Sequence, residues 1–251
     1  MLETPLEFIE SWDQWAKVIA LVSLGLGLIV FLRYWLTYAT SKDPKVKYDL
    51  INMKEISTLK ALSIFTIIAL ALFANSFIDE IGVAWMVIRT FVTLCLSVIL
   101  GVIISNMLKF YYPFYVEKRL KKLRYKPRIS PKTGKEMKLL SEEEEDVYLD
   151  EGMQAEENVF SIDYDVWVDE ETGYTKIEKY SGHLHAQQCP ECNYQTFKVD
   201  REEVITQPTD VEEGELMKYF ECNYCGHKES RRFRVSRTKP TESDTETAPA
   251  M

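Results

Sequence analysis

The sequence predicts an α-helical membrane domain of three transmembrane helices followed by a small β-rich, metal-clipped domain in the cytoplasm. Three observations carry that expectation: apolar runs over about residues 16–38, 59–78 and 83–110, a sharply acidic second half, and two Cys-x-x-Cys pairs inside that half. The 251 residues are 46% hydrophobic with a formal net charge of −9, values of an ordinary globular chain. They conceal the asymmetry, because residues 139–221 hold 24 Asp and Glu against 5 Lys and Arg.

Each apolar run is near the roughly 20 residues that cross about 30 Å of hydrocarbon. "AKVIALVSLGLGLIVFLRYWLTY" is the clearest, and "LETPLEFIESWDQW" before it is acidic and aromatic, not basic as in a cleaved leader. Residues 1–15 are therefore expected as an outer interfacial segment and the first helix as retained. Lys17 is the one basic residue around the start of that helix, whereas residues 33–60 hold six Lys or Arg and residues 109–138 hold eleven. Basic loops stay inside, which puts the amino terminus outside and the bulk of the chain in the cytoplasm. Trp12 and Trp15 at one boundary and Tyr111, Tyr112 and Tyr115 at the other suit the headgroup layers. Arg89, the one charge well inside a run, is expected to snorkel to the outer interface beside Asp79 and Glu80. Ser23, Gly25 and Gly27 are small enough for close helix packing. Residues 116–140 read as a basic juxtamembrane linker in contact with anionic membrane lipid.

Beyond the linker the period changes. Ser141 and Glu144 form a capping-box pair that opens an acidic helix over 141–157. "SIDYDVWV", "TKIEKYS", "QTFKVDR", "MKYFEC" and "RRFRVSR" then alternate apolar with polar residues as short strands. The tail 238–251 lacks apolar side chains and is expected to be disordered.

Cys189, Cys192, Cys222 and Cys225 supply four soft ligands in two turns, the set that a structural tetrahedral Zn²⁺ requires. A redox dithiol or disulfides compete with that reading, and an iron centre is the lesser metal alternative; two pairs on the reducing side of a membrane favour one zinc ion. Cys95 lies in the third apolar run and reads as a packing residue. His183 and His185 are expected on one face of a strand.

The segment before the cysteines reads as a copy of the segment containing them. "SPKTGKEM" aligns with "CPECNYQT" and "DEETGYTK" with "CNYCGHKE", which puts Ser130, Thr133, Asp169 and Thr172 at the four ligand positions. Residues 128–181 would then be a metal-free ribbon, with Tyr164, Val166, Trp167 and Ile177 as its apolar core, and residues 182–237 a zinc ribbon. These turns, with "EDVYLDEGMQAEENVFSIDYDVWV" and "CNYCGHKESRRFRVSR", resemble the paired zinc-ribbon region that follows the membrane segment in some bacterial TPM-domain membrane proteins, particularly those of Bacteroidetes. The resemblance covers roughly residues 125–237. It implies a bacterial inner membrane and two cysteine-bearing ribbons, from which this chain departs at the four positions just named; the TPM domain itself has no counterpart here.

No arrangement for nucleophilic or phosphate chemistry is visible, and four thiolates leave zinc no open position, so the chain reads as non-enzymatic. The expected role is an accessory subunit or adaptor that docks a protein partner. A membrane-tethered nucleic-acid binder using Arg231, Arg232, Arg234 and Arg237 around Phe233 is the alternative, as is a transporter-associated subunit. The acidity of residues 139–221 opposes phosphate and makes nucleic acid the weaker reading.

Overall fold

The computed structural model describes residues 5–76 and 83–237. It divides the chain into two compact units that meet between Lys126 and Pro127. Residues 1–4, the Asp79–Glu80 turn and the tail from 238, with the roles expected of them, lie outside the described residues.

The first unit contains α1 (Pro5–Thr40), α2 (Pro44–Leu50), α3 (Ile56–Ala74), α4 (Val83–Asn106) and α5 (Tyr112–Arg124). Three stretches are helical, long and apolar enough to cross a membrane: Ser11–Thr40, Pro44–Ala74 and Ala84–Arg124. All three exceed the apolar runs seen in the sequence. The helix of the first run already includes residues 5–15, and that of the second begins at Pro44, where Asp43 accepts a hydrogen bond from the Lys45 N–H at 2.8 Å and Pro44 occupies the first turn. Charged residues lower hydropathy without breaking a helix, so the helices outrun the apolar signal. Residues 116–124 of the expected linker accordingly belong to α5, and Val116 is buried.

Polar contacts set how these helices meet. Ser23 Oγ in α1 donates to the Phe65 carbonyl of α3 at 2.9 Å, and Gly27 sits where a Cβ would come within 3.0 Å of Phe65 Cβ. Gly25, by contrast, faces open space. The Arg89 guanidinium of α4 donates to the Ala74 carbonyl at the end of α3, among the carbonyls that a helix leaves unpaired. Asn75 Nδ2 reaches Thr93 Oγ1 at 2.6 Å beside it. Arg89 therefore ties two helices together.

A second polar knot lies at the other end of α3. One π-helical turn (Ile51–Glu55) joins α2 to α3 and another (Met107–Tyr111) joins α4 to α5. Glu55, 4% exposed, closes the first turn, and its carboxylate accepts from Tyr34 of α1, from Tyr112 just after the second turn, and from Arg119 of α5 at 2.6 Å. A carboxylate removed from water costs several kcal/mol unless its lone pairs are filled; here donors from two other helices fill them.

The second unit is two antiparallel three-stranded sheets, β1 (Lys138–Leu139), β2 (Ile162–Val168) and β3 (Thr175–Ser181), then β4 (Phe197–Thr206), β5 (Gly214–Cys222) and β6 (Lys228–Val235), each in sequence order. The acidic stretch between β1 and β2 forms two short helices, α6 (Glu142–Glu145) and α7 (Glu151–Asn158), where one helix over 141–157 is expected from the sequence. The Ser141 N–H meets the Glu144 carboxylate at 3.1 Å as anticipated, but Asp150 begins a new helix by accepting from the Met153 N–H at 2.8 Å. Asp at that position competes with the backbone for continuation. Leu149, Ile162, Tyr164, Val166 and Val168 form the first sheet's core. Trp167, of opposite parity, is buried under the Arg128 guanidinium, 4.9 Å away, and Ile177 is 39% exposed. β3 instead buries Glu178 and Tyr180, because Arg128 forks onto the Glu178 carboxylate at 2.9 and 2.7 Å.

Glu55→Ala should lower the thermal midpoint of the detergent-solubilised protein, by the equivalent of about 2–4 kcal/mol, because it strands Tyr34, Tyr112 and Arg119. Differential scanning fluorimetry beside Glu117→Ala, at an exposed position of α5, measures it; equal midpoints for the two variants would contradict the knot.

Candidate metal centre

The four cysteines stand on two turns built alike. The Cys189 N–H donates to the Tyr194 carbonyl at 2.9 Å and the Asn193 N–H returns to the Cys189 carbonyl at 2.9 Å; the Cys222 N–H donates to the His227 carbonyl at 2.9 Å and the Gly226 N–H returns to Cys222 at 3.0 Å. The residue four after the first cysteine turns left-handed, with φ of 64° at Asn193 and 72° at Gly226. Asn and Gly are the residues that accept that conformation readily, so both turns are written in the local sequence.

The first turn precedes β4 and the second joins β5 to β6, and the pairing of Phe197 with Cys222 across those strands brings the two together. The four sulfurs then lie within 4.8 Å of one another. Cys189 Sγ is 3.6 Å from Cys225 Sγ, and Cys192 Sγ is 3.7 Å from Cys222 Sγ. Four sulfurs at about 2.3 Å from a tetrahedral ion stand about 3.8 Å apart, so the cluster fits a metal ion, whereas a disulfide needs about 2.05 Å. Cys189 and Cys222 are buried against Phe197 and Phe220, whose rings stack at 5.3 Å.

The field around the sulfurs is uneven. At Cys222 burial raises the thiol pKa, but the Thr196 hydroxyl at 3.0 Å and the N–H groups of Cys225 and Tyr224 outweigh it and bring it down to about 6. Burial and the neighbouring thiols push Cys192 up to about 12, against an opposing N–H from Tyr194. One anion forms readily and its neighbours resist a second, which is the condition a cation relieves. The His227 ring lies 5.8 Å from that of Phe197, tilted by 37°, while His183 and His185 are exposed in the connection after β3, which ends at Ser181. The strand expected to align those two histidines is not formed: the Gly182 and Leu184 N–H groups turn back onto Ser161 and Phe160. Cys95 is exposed on α4, where a packing position is expected from the sequence.

The four positions aligned with the cysteines, Ser130, Thr133, Asp169 and Thr172, also converge. Ser130 Oγ, Thr133 Oγ1 and Thr172 Oγ1 all donate to Asp169 Oδ2, at 2.6, 3.0 and 2.7 Å. Among the arginines of β6, Arg231 is engaged by Glu229 at 2.8 Å and by Gln187 at 2.9 Å, and Arg232 lies 3.5 Å from Glu215. Arg234 lies on the same strand, and Arg237 lies beyond its end.

Sequence reasoning missed the buried acids that join the two sheets. Glu156 on α7 is 1% exposed, accepts from Tyr164, receives the Gln195 N–H at 2.6 Å and has Lys179 Nζ at 3.2 Å. Tyr194 Oη donates to Asp150 at 3.1 Å, and its ring lies over Gly152, where a Cβ would come within 2.1 Å of it. The cysteine turn is thereby seated on the acidic helix. An acid inside a run of acids carries no signal of its own burial, though Gly152 inside a helical segment does mark a close approach.

Glu145 gives a pH dependence. Burial raises its carboxyl to about 7 from 4.5, with the Val166 N–H opposing and Glu157, Asp165 and Asp163 adding to the rise. The folded unit therefore holds a proton that the unfolded chain releases, and stability falls as pH rises from about 4.5 to about 7. Glu145→Gln should raise the thermal midpoint by a few degrees at pH 8 and leave it nearly unchanged at pH 4, as a pH series of melting curves will show.

Comparison with protein-family models, curated proteins and solved structures gives no match for this chain.

Proposed function

We propose that the chain is a non-enzymatic multi-pass membrane protein, an accessory subunit or adaptor that docks a protein partner through a cytoplasmic module held by one structural Zn²⁺. The observation that carries this reading is the closed set of four thiols at tetrahedral spacing, which supplies every ligand of the ion and leaves no position for substrate. A module of about fifty residues buries too little apolar surface to fold unaided, so the ion would contribute much of its stability. The distribution of basic residues supports an outer amino terminus, with the metal module on the reducing side, and the resemblance to bacterial membrane proteins implies the inner membrane. The engagement of Arg231 and Arg232 with neighbouring acids, together with the acidity of residues 139–221, favours a protein partner over nucleic acid.

Elemental analysis of the purified protein should give one zinc per chain. Cys222→Ser should abolish it and open residues 182–237 to protease while the three helices still insert, and partners captured by gentle extraction should be lost. Retention of zinc and of protease resistance would refute the site; loss of both with every partner retained would refute docking through this module.

Topology has its own measurement. An impermeant thiol reagent added to intact cells should label a cysteine placed at Glu3 and spare one at Glu203, and the reverse pattern would put the module on the oxidising side.

A further inference from the structure

The first ribbon repeats the cysteine turns bond for bond. The Ser130 N–H donates to the Lys135 carbonyl at 2.8 Å and the Gly134 N–H returns to Ser130 at 2.9 Å; the Asp169 N–H donates to Tyr174 at 2.8 Å and the Gly173 N–H returns to Asp169 at 2.8 Å. Gly134 and Gly173 are left-handed, with φ of 70° and 66°, as are Asn193 and Gly226 at the same place in the other pair. The agreement extends to the side chains. Lys135 and Tyr174 direct their N–H groups at Thr133 Oγ1 and Thr172 Oγ1, both at 3.4 Å, in the places where the Tyr194 and His227 N–H groups meet the sulfurs of Cys192 and Cys225.

From this repeat we infer that the Asp169 carboxylate takes the place of a metal ion as the closing centre of the first ribbon. Three hydroxyls deliver their protons to one oxygen, Oδ2, and the Glu171 N–H satisfies the other at 3.1 Å. In a thiolate site four anions converge on a cation; here one anion gathers neutral donors, and the sign of the centre is reversed. Ser130 and Asp169 are 2% and 4% exposed, whereas Thr133 is half-buried and Thr172 faces solvent, so the centre closes from the buried side of the turns. Three neutral hydroxyls that spend their protons on the carboxylate are poor ligands for zinc, which needs soft or anionic donors. The donors, Ser130 and Thr172 foremost, hold the Asp169 carboxyl well below the usual carboxylate range, so the closure is present at neutral pH and weakens as acid protonates it.

This inference does not depend on which metal the four cysteines hold. It is tested in the full-length, detergent-solubilised protein. Converting Ser130, Thr133, Asp169 and Thr172 together to Cys should raise bound zinc by one equivalent over the parent and double the thiolate-to-Co²⁺ absorption on cobalt exchange. Asp169→Asn, of the same shape but uncharged, should speed proteolysis within residues 127–181 by about tenfold while leaving the parent's metal count unchanged. An unchanged metal count in a folded four-cysteine variant, or parent-like resistance in Asp169→Asn, would overturn the inference, as would Ca²⁺ or Mg²⁺ bound by the parent and lost in Asp169→Asn. Should the four-cysteine variant fail to fold, Asp169→Asn alone decides.

Discussion

The second sheet carries only a small buried apolar cluster, so its stability depends on fastening the turns at its ends to each other. The fastening is also the core: two of the four residues in the buried cluster of the second sheet are Cys189 and Cys222, with Phe197 and Phe220 completing it. In the second sheet, whatever joins the turns is thus part of the interior itself. Turns of one backbone design bring together two chemically different sets, four sulfurs at the spacing of a metal site in one half and three hydroxyls on a carboxylate in the other. The backbone hydrogen bonds and the left-handed fourth residue are indifferent to that choice, because they place a side chain without specifying its charge.

That indifference explains what was legible in the sequence. Gly134, Gly173 and Gly226 mark left-handed positions that most other residues would strain, and the Cys-x-x-Cys spacing follows from the turn they end. Apolar runs announced three long helices, but their ends lay hidden where charged residues are interspersed among apolar ones and the helix continues, as at Lys45 to Lys54 and Lys118 to Arg124. Parity in β3 was misleading because both faces are used: Ile177 shares the face of Val166 yet stays partly exposed, whereas Glu178 is buried on the other face by Arg128, and no periodicity rule anticipates a charge buried by a partner fifty residues away. The break at Asp150 was equally concealed, since an acidic residue continues a run of acids in composition while starting a helix in geometry.

In the helical unit the polar contacts between helices gather mainly around the two ends of α3. Arg89 and Asn75 sit where α3 finishes, and Glu55 sits where the second helical stretch changes from α2 to α3. Between them the contact of α1 with α3 depends on Ser23 and on the absence of a side chain at Gly27. Apolar surfaces slide over one another at little cost in lipid, so the register of such helices has to be set by the few contacts that are directional.

Gly152 deserves its place for what it does to independence. Because it has no side chain, the ring of Tyr194 rests on the backbone of α7, and the helix belonging to the first ribbon becomes the bed of the second ribbon's turn. Strain or order arising at the cysteines is handed directly to a neighbour that has no cysteines of its own. Two modules that share a bearing surface respond together when either pair of turns is loosened.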